Sequence, residues 1–277
     1  MRAVRDVTAR GVRMRVTEAG TEHRQAVVLV HGFLASHLTF DDVIDTLAQR
    51  FHVIAPDLPG FGDSEKPAPS RFNYSVEAFA ESIADIIAAY GLGRACVLGH
   101  GLGGAVAMTL AAHHAELVNR LVVIAPLVYA ERPHPRLRVA LWPVVGTFSF
   151  KQLYGRRAFR GYFRDAVYSS RIRLPTKRVD ALYEAFNTPS ARQSAYAVLR
   201  TMLDTRAVVA RVSRIRHSTL ILWGRDDATY PASSALRLAR QMNDAHLEIF
   251  DAGHAPHEER PAEFIATIQE FFEGGRG

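Results

Sequence analysis

Cysteine is nearly absent: the 277 residues contain one, Cys96. An intramolecular disulfide is therefore excluded, and so are the paired-cysteine spacings of structural zinc sites. Cys96 lies in the apolar run Ala95–Leu98, where a thiol behaves as a small core residue. Long hydrophobic runs are missing too. No stretch approaches the ~20 apolar residues needed to span a bilayer, so stable membrane insertion is not expected. The first residues, Met1-Arg-Ala-Val-Arg-Asp-Val-Thr, carry positive charge but no apolar core of a signal peptide. The expectation is a cytoplasmic chain. Internal repeats and low-complexity tracts are also lacking, which sets aside solenoid, fibrous and disordered architectures. What is present is a 48% hydrophobic chain, long enough to bury one sizeable core.

Charge is unevenly spread. Residues 127–210 hold 15 basic and 5 acidic side chains, a local excess of +10, while the remainder is net −4. Such a segment could face an anionic substrate, a membrane surface or nucleic acid. Arginine also serves as a good helix former on a solvated face, and that is the reading favoured here. No nucleic-acid-binding module accompanies the basic residues, so no nucleic-acid partner is expected.

Short apolar runs alternate with helical patterns, as in a mostly parallel sheet with crossover helices on both faces. Strands are expected at Val12–Glu18, Ala26–Val30, His52–Ala55, Ala95–Leu98, Leu121–Ile124, Thr219–Trp223 and Leu247–Phe250. Ser75 reads as a helix N-cap with Glu77 in the first turn and Gly91 as the stop. Further helices should start near residue 102, running through Ala105–Ala112, and at Pro261–Phe272. From 127 to 210 the strand signals vanish. Helical patterns take over, punctuated by Pro133, Pro135, Pro143, Gly146 and Pro175 and rich in aromatics (Trp142, Phe148, Phe150, Tyr154, Phe159, Tyr162, Phe163, Tyr168). Residues 1–126 and 211–277 then form one core, and 127–210 a helical cap over the C-terminal edge of the strands, where open α/β sheets bind ligands.

The chemistry is concentrated in loops that each follow a strand. His31-Gly32-Phe33 follows the second expected strand, and Asp57-Leu-Pro-Gly-Phe-Gly-Asp-Ser64 the third. Gly99, His100, Leu102 and Gly103 frame a G-x-S-x-G nucleophile elbow, but Gly101 stands at the nucleophile position. In that motif a sharp strand-to-helix turn lifts a serine hydroxyl above the sheet edge. Trp223-Gly-Arg-Asp-Asp227 and Asp251-Ala-Gly-His254 close the set. Nucleophile, acid and histidine thus occur in the order expected of this architecture.

These five segments resemble the α/β-hydrolase family, and the resemblance extends over nearly the whole chain. It implies a sheet of about eight strands, a helical cap and a serine-type catalytic triad. Family spacing makes Asp227, rather than Asp226, the acid that orients His254, the base; Phe33 and Leu102 would supply the two oxyanion-hole N–H groups. The likeness is greatest to capped esterases, lactonases and carbon–carbon bond hydrolases. Haloalkane dehalogenases and epoxide hydrolases are less similar, because their nucleophile is usually followed by Trp where this chain has Leu102. The implied substrate is a small to medium, largely apolar carbonyl compound, and the arginine-rich segment suggests one that carries a carboxylate. No cofactor is implied. Association into a homo-oligomer stays open.

Gly101 creates a decoy and a choice. Gly99-His-Gly-Leu-Gly-Gly104 satisfies the dinucleotide-binding G-x-G-x-x-G. However, about four strands precede it, and the next strand ends Val123-Ile-Ala-Pro126 without the acid a ribose needs. Metal binding at His113-His114 or His254/His257/Glu258 lacks H-E-x-x-H or comparable spacing. Three accounts of the glycine follow. The chain is a serine hydrolase whose nucleophile has been replaced, leaving it inactive or strongly impaired. Alternatively, it is naturally serine-less and uses the His254–Asp227 dyad for non-covalent acid–base chemistry, as a lyase, isomerase, cyclase or by direct water attack. Last, it is a non-catalytic ligand-binding module. The intact dyad favours them in that order.

Overall fold

The computed structural model describes residues 1–129 and 154–272. Eight strands form one sheet in the order β1-β2-β4-β3-β5-β6-β7-β8. They are β1 (Ala3–Ala9), β2 (Val12–Ala19), β3 (Ala26–Val30), β4 (His52–Pro56), β5 (Ala95–His100), β6 (Val118–Ile124), β7 (Thr219–Gly224) and β8 (Ala245–Phe250). The pairs β1–β2 and β2–β4 are antiparallel and all others parallel. Seven of the eight were expected from their apolar runs. The strand missed was β1, which lies at the sheet edge with most of its side chains in solvent and so lacks a continuous hydrophobic signal. It turns into β2 through Arg10-Gly11, both at positive φ (51° and 72°), the two-residue hairpin geometry that matches strand twist.

Successive residues of the central strands feed opposite faces. Val28 and Val30 of β3 pack with one cluster, Val27 and Leu29 with the other. The first face is covered by α2 (Val76–Ala89) and α3 (Leu102–His113), the second by α1 (Asp41–Leu47) and α10 (Pro261–Phe272). Cys96 is fully buried in the second cluster. Helix α2 has the ends its sequence foretold. The Ser75 hydroxyl accepts the Ala78 N–H at 3.2 Å. At the other end Gly91 sits at φ 65°, with Gly91 N–H bonded to Ala88 and Leu92 N–H to Ile87, a Schellman closure.

Between β6 and β7 the described residues carry α4 (Arg156–Tyr162), a π-helical turn (Phe163–Val167), α5 (Thr176–Phe186), α6 (Pro189–Thr201) and α7 (Arg206–Arg211). Pro133, Pro135, Trp142, Pro143, Gly146, Phe148 and Phe150 lie outside the described residues. Many of the arginines here are paired on or near the surface: Arg160 with Asp180, Arg164 with Asp165, Arg206 with Asp204 and Arg171 with Asp226 and Asp251. Helix α8 (Ser233–Gln241) packs beside β7 and β8, and the short α9 (Pro256–Glu259) precedes α10. No described helix is long and apolar enough to cross a membrane.

Candidate active site

The loops singled out by sequence meet at the C-terminal ends of the parallel strands. Gly101 follows β5, Asp227 follows β7 and His254 follows β8. Gly101 is the N-cap of α3, at φ 54° and ψ −112°. That conformation is far more costly for a residue with a Cβ than for glycine. Its N–H bonds to Ile124 O at 2.9 Å, and its carbonyl accepts Leu127 N–H at 2.9 Å, so the turn is held from both sides.

A Cβ built on Gly101 would lie 3.3 Å from His254 Nε2, with its next contact, Gly32 Cα, at 3.9 Å. His254 Nδ1 stands 2.8 Å from Asp227 Oδ2. An ionised carboxylate can only accept, so Nδ1 carries the proton and Nε2 presents its lone pair toward Gly101. The other oxygen of Asp227 accepts the Thr229 and Tyr230 N–H groups at 2.7 and 2.8 Å. Trp223 Nε1 donates to Tyr230 O at 3.0 Å and pins the same loop. Asp226, the rejected neighbour, instead reaches Arg171.

Phe33 and Leu102, the expected oxyanion donors, both line the cavity above Gly101. The Phe33 loop is fixed by His31, whose Nε2 accepts Leu58 N–H at 2.9 Å and whose Nδ1 then donates to Gly32 O at 2.8 Å. Burial lowers the pKa of His31, which keeps the ring neutral for that role. Tyr162, Phe163, Val167 and Met202 supply apolar walls to this narrow cavity. No arginine or lysine lines it among the described residues. Arg160, Arg164, Arg171 and Arg206 are turned to carboxylates on or near the surface, so these four do not support the expected carboxylate-bearing substrate; Arg132, Arg136, Arg138 and Lys151 lie outside the described residues.

Sequence reasoning missed how the inserted helices hold the histidine. Val167 O accepts the His254 N–H at 2.8 Å, and Ala166 O accepts the Thr229 hydroxyl at 2.7 Å. Glu259 accepts Gly253 N–H at 2.9 Å, Ser169 N–H at 3.0 Å and the Ser169 hydroxyl at 2.5 Å. The pattern Gly253-His254-x-x-x-x-Glu259-x-Pro261 contains that carboxylate, but nothing local says what it holds. Behind His254 the ring of His100 lies 4.6 Å away, and that of His257 a further 4.7 Å. Burial keeps both neutral, moving His100 well below its ordinary pKa and His257 down to about 3. His100 Nε2–H donates to the His254 carbonyl at 3.0 Å. The dyad is thus backed by uncharged imidazoles.

This geometry can take a proton at His254 Nε2 beside a mostly apolar cavity lined by Phe33 and Leu102. Comparison with known proteins identifies the family. A model of the family described as alpha/beta hydrolase fold matches residues 25–261. An uncharacterised protein of Mycobacterium tuberculosis is 30% identical, over 99% of this chain and 84% of its own length. A 2-hydroxymuconate semialdehyde hydrolase of a Pseudomonas species is 27% identical, over 96% of this chain and 93% of its own. The solved structure of a mutant meta-cleavage product hydrolase from Pseudomonas fluorescens, complexed with acetates, superposes with a TM-score of 0.82 at 25% identity, over 98% of each chain. A family match across that much of the sequence settles its membership: the chain belongs to the alpha/beta hydrolase fold family.

Proposed function

We propose that this chain carries the acyl-transfer machinery of a hydrolase for small to medium, largely apolar carbonyl substrates, whether ester, lactone or ketone cleaved at a carbon–carbon bond. Its nucleophile position is occupied by Gly101, which leaves this form inactive or strongly impaired as a serine hydrolase. The observation that carries the reading is the 3.3 Å separation between His254 Nε2 and the place where a residue-101 Cβ would sit. A serine hydroxyl, one bond further out, falls within hydrogen-bonding reach of that nitrogen. Asp227 would fix the tautomer and stabilise the imidazolium, and the Phe33 and Leu102 N–H groups would hold the oxyanion.

The test is a paired assay of this chain and its Gly101→Ser variant on short p-nitrophenyl esters and lactones. The serine form should gain orders of magnitude in turnover, because triad members act as a unit. Inactivity of both forms, or better catalysis by glycine, would overturn the reading.

One observation favours a second reading. The space at Gly101 is open apart from His254 Nε2 and Gly32, so a water there would stand next to the base. General-base activation of that water needs no covalent intermediate. Here the glycine form is itself active, and His254→Ala abolishes the activity.

A further inference from the structure

Beside His254 the cavity carries a carboxyl group that acyl transfer does not use. Glu258, on α9, lines the cavity with Gly101, Leu102 and His254, and its side chain is 1% exposed. Its two oxygens are treated differently. Oε2 accepts the Tyr168 hydroxyl at 2.8 Å and Arg178 Nη1 at 2.7 Å. Both partners come from the inserted helical segment, and Arg178 is held in turn by Asp42 at 2.7 Å. Oε1 has no hydrogen-bond partner among the described residues. His257 Nε2, at 3.9 Å, stands beyond bonding distance. An unsatisfied buried oxygen costs roughly 1–3 kcal/mol, more when charged, a cost that a hydrogen-bonding group reaching Oε1 from the cavity would relieve.

We propose that Glu258 Oε1 is a polar subsite of this cavity that takes a hydroxyl group on an otherwise apolar substrate. The inference rests on the cavity being the substrate site, as argued above. A hydroxyl suits the carboxyl in either protonation state. It donates to the carboxylate, or it accepts from Oε1–H, since Oε2 already accepts twice and leaves the proton to its twin. Burial raises the Glu258 pKa to about 7, so both states are populated near neutrality. Charged groups fit less well. A ligand carboxylate would meet Glu258, and a ligand ammonium would compete with Arg178 for a charge already compensated. Neutral hydroxyl remains.

Calorimetric titration of the chain as it stands, with acetophenone and its 2-, 3- and 4-hydroxy derivatives, tests this without catalysis. At least one hydroxy isomer should bind about tenfold more tightly than acetophenone, the scale of one good hydrogen bond to a charged group. E258L should remove that advantage while leaving acetophenone binding in place. E258Q should retain it, with the amide oxygen on Arg178 and Tyr168 and the NH₂ toward the ligand hydroxyl. If E258L fails to fold because Arg178 loses a partner, the double variant E258L/R178M removes both charges and answers the same question. Equal binding of all four compounds, no binding of any, or an advantage that survives E258L would each overturn the proposal. A failed hydroxyl-binding test leaves the acyl-transfer reading standing, and an inactive Gly101→Ser variant leaves hydroxyl binding standing, so the two readings fail separately.

Discussion

At the scale of single residues, Gly101 is where conformation and chemistry pull apart. Its φ of 54° with ψ −112° costs a side-chain-bearing residue on the order of 1–3 kcal/mol. Gly101→Ala should therefore lower the melting temperature by several degrees, at ~2–4 °C per kcal/mol for a domain of this size. Gly101→Ser should lose less than alanine, since its hydroxyl can bond His254 Nε2. Thermal melts of the three forms check this, and a serine form clearly more stable than glycine would contradict the elbow geometry. Gly101, Asp227 and His254 were legible in the sequence because each sits in a short motif whose spacing is set by one local turn. Glu258 and Glu259 were not. Their partners, Tyr168, Ser169 and Arg178, lie some 80 to 90 residues away, and no local pattern records a contact made across a fold.

At the scale of elements, the elbow works only because β5 and α3 approach the neighbouring backbone without side chains in the way. A Cβ on Gly103 would sit 2.1 Å from Val30 O, and one on Gly99 equally close to Gly103 O. Helix α3 is buried from Leu102 to Ala111 and cannot slide outward to make room. Gly103→Ala should thus cost about 3 kcal/mol, the upper end of overpacking penalties, and should disable the Gly101→Ser enzyme by displacing Leu102 N–H from the oxyanion position. Denaturant titration and turnover in that background measure both effects; near-wild-type stability would show that β3 and α3 can separate at little cost. The same close packing explains which elements the sequence revealed. Strands covered on both faces, such as β3 and β5, advertise themselves as unbroken apolar runs. β8 is only half-buried along most of its length, and its first residues, Ala245 and His246, escaped notice because they add no fully apolar run.

At the scale of the whole molecule, charge ties the inserted helices to the core and gives stability a pH signature. Arg178 on α5 bonds Asp42 of α1 and Glu258 of α9, so the segment should unfold together with the sheet. Burial raises Glu258 to about 7 from an ordinary 4.5. The folded state therefore holds a proton that the unfolded state has released, and stability falls as pH rises from 4.5 through 7. At about 1.4 kcal/mol per pKa unit the full loss is about 3 kcal/mol. Another buried pair limits the range from both sides. Burial opposes the charge on Asp57, but the hydrogen bond and charge of His37 outweigh it and lower the Asp57 pKa, so this contribution disappears in strong acid. Burial likewise opposes a charged His37, yet Asp57 prevails and raises its pKa. That term is present below 6.5 and is lost as pH climbs past the raised value. Glu258 and His37 favour the acid side, but the buried neutral rings of His31, His100 and His257 oppose them: below the ordinary 6.5 the unfolded chain takes up protons that these folded rings refuse, so stability falls as pH drops. Melting temperatures across pH 4–8 should peak near pH 6.5 for the parent chain. In E258Q the melting temperature relative to the parent should rise between pH 4.5 and 7, because glutamine has no proton to lose, while the His37 decline at higher pH persists. Parallel curves for the two proteins would mean that Glu258 ionises without cost, with Arg178 compensating its charge in full.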